Sequence, residues 1–240
     1  MFSFIFNIFY YPLYNAIIFL SALSPSNDFG LAVVALTILV KFLILPLSHV
    51  SIQTQRKLKE IEPEINRIKE RHKDKQEEQA VKIMNLYKEH GVNPFASILL
   101  LFIQLPMFIA LYYIFRNTID LASPVIFSFN ILPTTINTMF LGVIDLSVSN
   151  IYLAILVGLT QYIQTSLSLP EMPKEQAKNP TFADDFAKSM NWQVKYFLPL
   201  FIIFVAAKLN AAVSVFWITS NIFSIVHEFL VKRKASKIKA

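Results

Sequence analysis

Apolar and polar positions along this chain fall into long uncharged blocks separated by short charged ones. Blocks of about 20 apolar residues predict membrane-spanning helices, and five can be drawn. The first runs from Phe29 to Ile52 and carries a single charge, Lys41. The second, Phe95 to Phe115, has none, and the third lies uncharged within Leu146–Leu169. The fourth is short: Tyr196–Ala207 lies between Lys195 and Lys208. As a helix it covers about 18 Å, less than the roughly 30 Å hydrocarbon core, so local thinning of the bilayer is expected there. The fifth runs from Leu209 to Val226, with a tight turn at Asn210, Ala211 and Ala212.

The segments between these blocks have patterns of their own. In residues 1–24, Ser3, Asn7, Tyr11 and Tyr14 recur at helical spacing, which predicts an amphipathic helix lying in the membrane interface. A sixth span is the alternative. Ser24, Pro25, Ser26, Asn27 and Asp28 then break the helix. In 53–94, Leu58, Ile61, Ile65 and Ile68 make one apolar stripe, and Ala80, Ile83, Met84 and Tyr87 a second. His72-Lys73-Asp74-Lys75 forms a polar turn between them, and Gly91 followed by Pro94 stops the second stretch. The pattern predicts a charged helical hairpin whose stripes pack on each other. Segment 117–149 is apolar but interrupted by Pro124 and Pro133, and reads as an external loop with a short helix on the membrane surface.

Composition agrees with a membrane protein. Of the 240 residues, 55% are hydrophobic and 16% charged, and mean hydropathy is +0.50. The absence of cysteine excludes disulfides, thiol catalysis and thiolate metal sites. The net charge of +6 lies beside apolar spans, which favours a membrane over sequence-specific nucleic-acid binding. Ten Lys/Arg lie between Arg56 and Lys88. Lys174, Lys178, Lys188 and Lys195 lie in or beside the loop 170–192, and Lys232, Arg233, Lys234, Lys237 and Lys239 are in the tail 232–240. Five spans put all of these on one side, which the positive-inside rule makes the cytoplasm. The N-terminus is then outside and the C-terminus inside, in a bacterial inner (plasma) membrane. The first 40 residues hold no Lys or Arg, so neither a secretory signal nor a transit peptide is visible, and the chain reads as starting where written.

Lys41 is the residue that asks most of the fold. A cation at mid-span costs about 2.5–3.5 kcal/mol on insertion scales, and such groups normally face a polar or wet interior. Its ammonium is about 15–18 Å from either end of the span, too far for easy snorkelling. Thr37 lies one turn away. Gln104 is near the middle of the second span, Gln161 and Gln164 are in the third, and Asn221, near Trp217, is in the fifth. Each polar residue alone is as readily interhelical glue as function. Together with Lys41 they predict a shared hydrophilic cavity. The four histidines (His49, His72, His90 and His227) have no metal spacing, and four glycines leave no phosphate loop. No enzyme activity, cofactor or metal is expected.

Several stretches resemble the YidC/Oxa/Alb insertases. Gly30-Leu31 through Thr37-Ile38-Leu39-Val40-Lys41 and Leu45-Pro46-Leu47 is similar to the family's first core span. Leu86-Tyr87-Lys88-Glu89-His90-Gly91-Val92-Asn93-Pro94 followed by Ile103-Gln104-Leu105-Pro106 resembles the hairpin end and second span, in the same order and spacing. Phe140-Leu141-Gly142 with Ile144-Asp145-Leu146, and Phe216-Trp217 with Ser220-Asn221, resemble the lead into span three and the last span. The resemblance implies an all-α polytopic membrane protein in the short form, without the large periplasmic domain of some members. Five transmembrane helices (within 29–231) would surround a hydrophilic groove, with a cytoplasmic hairpin and an N-terminal interfacial helix. It further implies an insertase or chaperone acting on nascent membrane proteins in the lipid bilayer, with the Sec translocon and the ribosome as candidate partners. The family's groove carries an arginine where this chain has Lys41, which keeps the charge but loses the planar donor fork. A small transporter or channel using Lys41 as an anion or proton site is the competing expectation.

Overall fold

A computed structural model describes residues 6–72, 75–93, 95–117, 119–128, 131–168 and 189–238. Ser3, Lys73, Asp74, Pro94, Lys174, Lys178, Lys188 and Lys239 lie outside these residues. The chain is an all-α polytopic membrane protein with one small β-hairpin among the described residues. It divides into two compact units: Met1–Leu43 with Gln104–Ala240, and Ile44–Ile103.

The helices are α1 (Tyr11–Leu23), preceded by a π-helical turn Phe6–Tyr10, then α2 (Phe29–Arg71), α3 (Gln76–Glu89), α4 (Phe95–Arg116) and α5 (Ile151–Ser168). They are followed by α6 (Ser189–Ala206), with a π-helical stretch at Gln193–Phe197, and α7 (Ala211–Ile238). Among the described residues, α2, α5, α6 and Ala211–Arg233 of α7 are long and apolar enough to cross a bilayer.

In the larger unit α5 packs on both α6 and α7. Ala154, Val157, Ile202 and Ala206 are buried there, flanked by Leu198, Trp217 and Ile218. Gly158 permits the α5–α6 approach, because a methyl group at this position would run into the Ile203 side chain and meet the Pro199 carbonyl. Small residues at such crossings let backbones come close without a gap.

Three expectations about element boundaries change. The fourth span is not the twelve residues Tyr196–Ala207: among the described residues the helix already runs over Ser189–Ala206, 18 residues, about 27 Å. Lys195 lies inside it, its ammonium 5.6 Å from the Tyr196 ring centroid. Lysine is a good helix former, so the charge bounds the apolar block and not the helix, and the expected thinning loses its basis. The first span and the first hairpin arm are one 43-residue helix that continues through Pro46 and Pro63. The loop 117–149 holds no helix among its described residues. Met139–Phe140 and Ile144–Asp145 form an antiparallel hairpin instead, with Phe140 opposite Ile144. Leu141 and Gly142 have φ of 51° and 71°, in the left-handed region, and with Val143 they form the three-residue loop that reverses the chain.

Side chains elsewhere hold this loop, which explains why it needs no helix. The Tyr14 hydroxyl donates to the Asp120 carbonyl and accepts from the Asp120 amide, both at 3.0 Å. Asn15 donates to the Val125 carbonyl at 2.9 Å and accepts from the Phe127 amide at 2.7 Å. Tyr14 of the expected polar stripe is therefore buried against protein, and so is its neighbour Asn15. Hydrogen bonds from the Ser147 hydroxyl and then its amide hold the Asp145 carboxyl below the usual carboxylate range.

In the smaller unit the second half of α2 and α3 pack as the stripes predict. Ile61, Leu86 and Val92 are buried, with Leu58, Ile65, Ile68 and Tyr87 against them. Burial raises the Tyr87 phenol above its ordinary pKa. Met84 and Ala80 are exposed, so the packed face of α3 is narrower than the sequence stripe. Gly91, at φ 57°, ends the arm in the left-handed region that favours glycine.

Candidate functional site

Helix α7 organises the polar groups of the larger unit. At 100° per residue, Trp217, Ser220, Asn221, Ser224, Glu228 and Lys232 fall on one arc of about 120°. Ser220, Ser224, Glu228 and Lys232 recur every four residues and so stack one turn above another.

Lys41 meets this arc from α2. Its Nζ donates to Ser224 Oγ at 3.2 Å, and Ser224 Oγ donates to the Ser220 carbonyl at 2.9 Å. The lysine is half-buried. Its partner among the described residues is a neutral hydroxyl, not a carboxylate. An ammonium carries three donors, and a hydroxyl does not cancel its charge. Around it on α2, Ile38, Leu39, Phe42 and Leu43 are exposed, so an unneutralised cation stands beside apolar surface.

The other side of the arc meets α5. Asn221 Nδ2 donates to Thr160 Oγ1 at 3.2 Å, and Thr160 donates to its own helix at the Leu156 and Val157 carbonyls. Gln161 Nε2 donates to Gln164 Oε1 at 3.2 Å and to Thr165 Oγ1 at 3.1 Å. Gln164 Nε2 donates to Ser168 Oγ at 3.1 Å, and Ser168 Oγ donates to Glu228 Oε2 at 2.6 Å. Lys232 pairs with the other Glu228 oxygen at 2.9 Å and donates to the Leu167 carbonyl at 2.7 Å. Glu228 is only 4% exposed, and a buried carboxylate persists where it is paired and hydrogen-bonded in this way.

The seven sequence-selected residues thus separate. Lys41 joins the α7 arc from one side, while Gln161, Gln164 and Asn221 join the α5–α7 seam on the other. Thr37 is 2% exposed, and its hydroxyl donates to the Val33 carbonyl at 2.6 Å, so it serves its own helix. Trp217 packs its ring 5.4 Å from Phe108 of α4. Gln104 is half-buried on α4, two positions before Pro106. The sequence does not place Ser168, Ser224, Glu228 or Lys232 among the site residues: Lys232 reads as a base of the tail, and Phe223-Ser224-Ile225 only as part of the resemblance to the family's last span. The four-residue recurrence on α7 was the signal that could have found three of them.

This arrangement offers fixed positive charge and hydrogen-bonding groups next to apolar surface. That chemistry suits holding polar groups at membrane depth.

Comparison with known proteins follows the same line. The family model described as 60Kd inner membrane protein matches residues 19–238. A protein named membrane protein insertase YidC from Clostridium tetani is 32% identical over 217 residues, covering 90% of this chain and 87% of that one. Proteins of the same name from Alcanivorax borkumensis and Francisella tularensis subsp. novicida are 31% identical over 210 residues. Those matches cover 86% of this chain but 31% and 33% of the longer relatives. With motifs, membrane helices and family model in agreement over nearly its whole length, the chain belongs to the 60Kd inner membrane protein family, the YidC/Oxa/Alb insertases.

Proposed function

We propose that this chain is a membrane protein insertase of the bacterial inner membrane, in which the Lys41 ammonium receives hydrophilic segments of nascent membrane proteins. The observation that carries the reading is the Lys41–Ser224 contact, a half-buried cation held by a neutral partner. Such a charge attracts acidic and polar groups of an incoming chain. Gln104 and Ser224 replace part of the hydration those groups lose, while Gln161, Gln164 and Asn221 hold the α5–α7 seam on the other side of the arc.

In this reading α4 is a fifth span, since its 22 residues cover about 33 Å. The five spans border a hydrophilic groove that opens to the cytoplasm. The Lys/Arg distribution favours a tail on the inside, and with five spans the N-terminus is then outside. The apolar helix of the substrate leaves along exposed α5 residues such as Ile155, Leu156 and Leu159. Its burial in lipid contributes about 25 cal/mol per Å² of apolar area, so no nucleotide is needed. The relatives named above are insertases, which sets the transporter alternative aside. The Sec translocon and the ribosome remain candidate partners through the charged hairpin and tail.

The test is complementation of an insertase-depleted strain by Lys41→Ala and Lys41→Arg, scored on several single-span substrates. Arginine is expected to support insertion of all of them. Alanine is expected to fail on substrates whose translocated segment is acidic. Equal insertion by the alanine variant at matched expression would overturn the role given to Lys41.

A further inference from the structure

The β-hairpin of loop 117–149 is bolted to the beginnings of three helices. The Leu141 amide donates to Asp28 Oδ2 at 2.7 Å, and Asp28 Oδ1 caps α2 at the Gly30 and Leu31 amides. The Phe140 ring lies so close to Gly30 that a methyl group there would collide with it. Past the hairpin, the Ala211 and Ala212 amides at the start of α7 donate to the Val148 and Leu146 carbonyls. Asn150 then caps α5 by accepting from the Tyr152 and Leu153 amides. The hairpin is therefore held level with the first turns of α2, α5 and α7.

Its tip is apolar and uncovered. Leu141 is 64% exposed and Val143 78% exposed. No Asp, Glu, Lys or Arg occurs from Leu121 to Ile144. Val148, Ile151, Tyr152 and Ile155 are exposed as well, so the apolar surface continues from the loop onto the exposed side of α5. A rigid, uncharged, aliphatic tip held at the height where membrane helices begin has one occupant of matching chemistry in immediate reach, the boundary between headgroups and acyl chains. Apolar patches of this kind mark interaction surfaces.

We propose that the Leu141–Gly142–Val143 tip is a lipid anchor, seated in the leaflet where α2, α5 and α7 begin. The anchor holds the loop against the bilayer and leaves the Lys41 face free. It does not depend on what passes along that face.

The chain has no cysteine, so single labels can be placed cleanly. Nitroxides are attached through Leu141→Cys, Val143→Cys, Thr135→Cys and Tyr152→Cys in the full chain, reconstituted in vesicles of phosphatidylethanolamine and phosphatidylglycerol. Power saturation with oxygen and with a water-soluble nickel chelate reads which phase each label contacts. Labels at 141 and 143 are expected to follow the one at exposed Tyr152 on α5, with oxygen contact several-fold above nickel contact at all three. The label at exposed Thr135 serves as the comparison within the same loop. Nickel contact at 141 and 143 exceeding oxygen contact would overturn the proposal. So would shielding of both labels from both reagents, which would mean a protein partner or a second copy covers the tip. In a second arm, Val143→Asp is expected to move the 141 label toward water. Lack of any shift in that variant would also count against the anchor.

Discussion

Replacing Asp28 should cut the larger unit at the point where its loop meets α2. The side chain is 5% exposed and its two oxygens accept three backbone amides, from Gly30 at 2.7 Å, Leu31 at 3.1 Å and Leu141 at 2.7 Å. Replacing a helix cap by alanine typically costs about 1 kcal/mol. A hydrogen bond to a charged acceptor is worth about 1.5–3 kcal/mol, and a buried amide left without a partner costs a similar amount. Asp28→Ala therefore should lose about 3 kcal/mol, roughly 150-fold in the local opening equilibrium. Asp28→Asn keeps the oxygen that caps α2 but turns an NH2 group toward the Leu141 amide. It should lose the hairpin tie, about 2 kcal/mol, and keep the cap. Amide hydrogen exchange in detergent or nanodiscs separates the two cases. In the alanine variant Gly30, Leu31 and Leu141 should all exchange faster. In the asparagine variant only Leu141 should. Unchanged exchange at Leu141 in both variants would refute the reasoning.

Substitutions at two further positions probe the packing of α5. Helix propensity alone makes Gly158→Ala about 1 kcal/mol stabilising. The collision with Ile203 and the Pro199 carbonyl should reverse that to a net loss of about 1–2 kcal/mol, read as a lower unfolding midpoint in detergent. At the other end of α5, Glu228→Ala should cost about 1–3 kcal/mol because Ser168 and Lys232 lose their shared acceptor. Glu228→Gln should cost less, since its amide oxygen still accepts from Ser168 and the Lys232 side chain is 46% exposed. Equal losses in the two variants would show that the ion pair, and not the Ser168 bond, holds the seam.

Much of this architecture is legible in the sequence because membrane spans and hairpin stripes are written in long, repeated patterns. The apolar blocks located α2, α4, α5 and α7, and the stripes at Leu58–Ile68 and around Tyr87 located the packed hairpin. Charge misled where it was read as a boundary. Lys195 sits inside α6, because a long aliphatic stem tolerates a helix that passes through the edge of an apolar region. The β-hairpin was not legible, since two-residue strands carry no periodicity and only the Leu141-Gly142 turn marks them. Lys41 stood out because a lone charge in an apolar block is rare. Thr37 looked equivalent from its spacing, but its hydroxyl finds an acceptor four residues back on its own helix, a choice that spacing does not reveal. Glu228 was overlooked because it lies near the end of a block, where a carboxylate is usually solvated. Its burial follows from Ser168, 60 positions away in the chain.

Site-specific photocrosslinking to a stalled nascent chain tests the proposed role of Lys41 most directly. A photoreactive residue at Ser224, in contact with Lys41, should capture the hydrophilic segment of a stalled single-span substrate. Capture should fall when Lys41→Ala is added. The same probe at Leu159, on the exposed face of α5, should capture only the substrate's apolar helix or lipid. Absence of capture at 224, or capture indifferent to Lys41, would contradict the account.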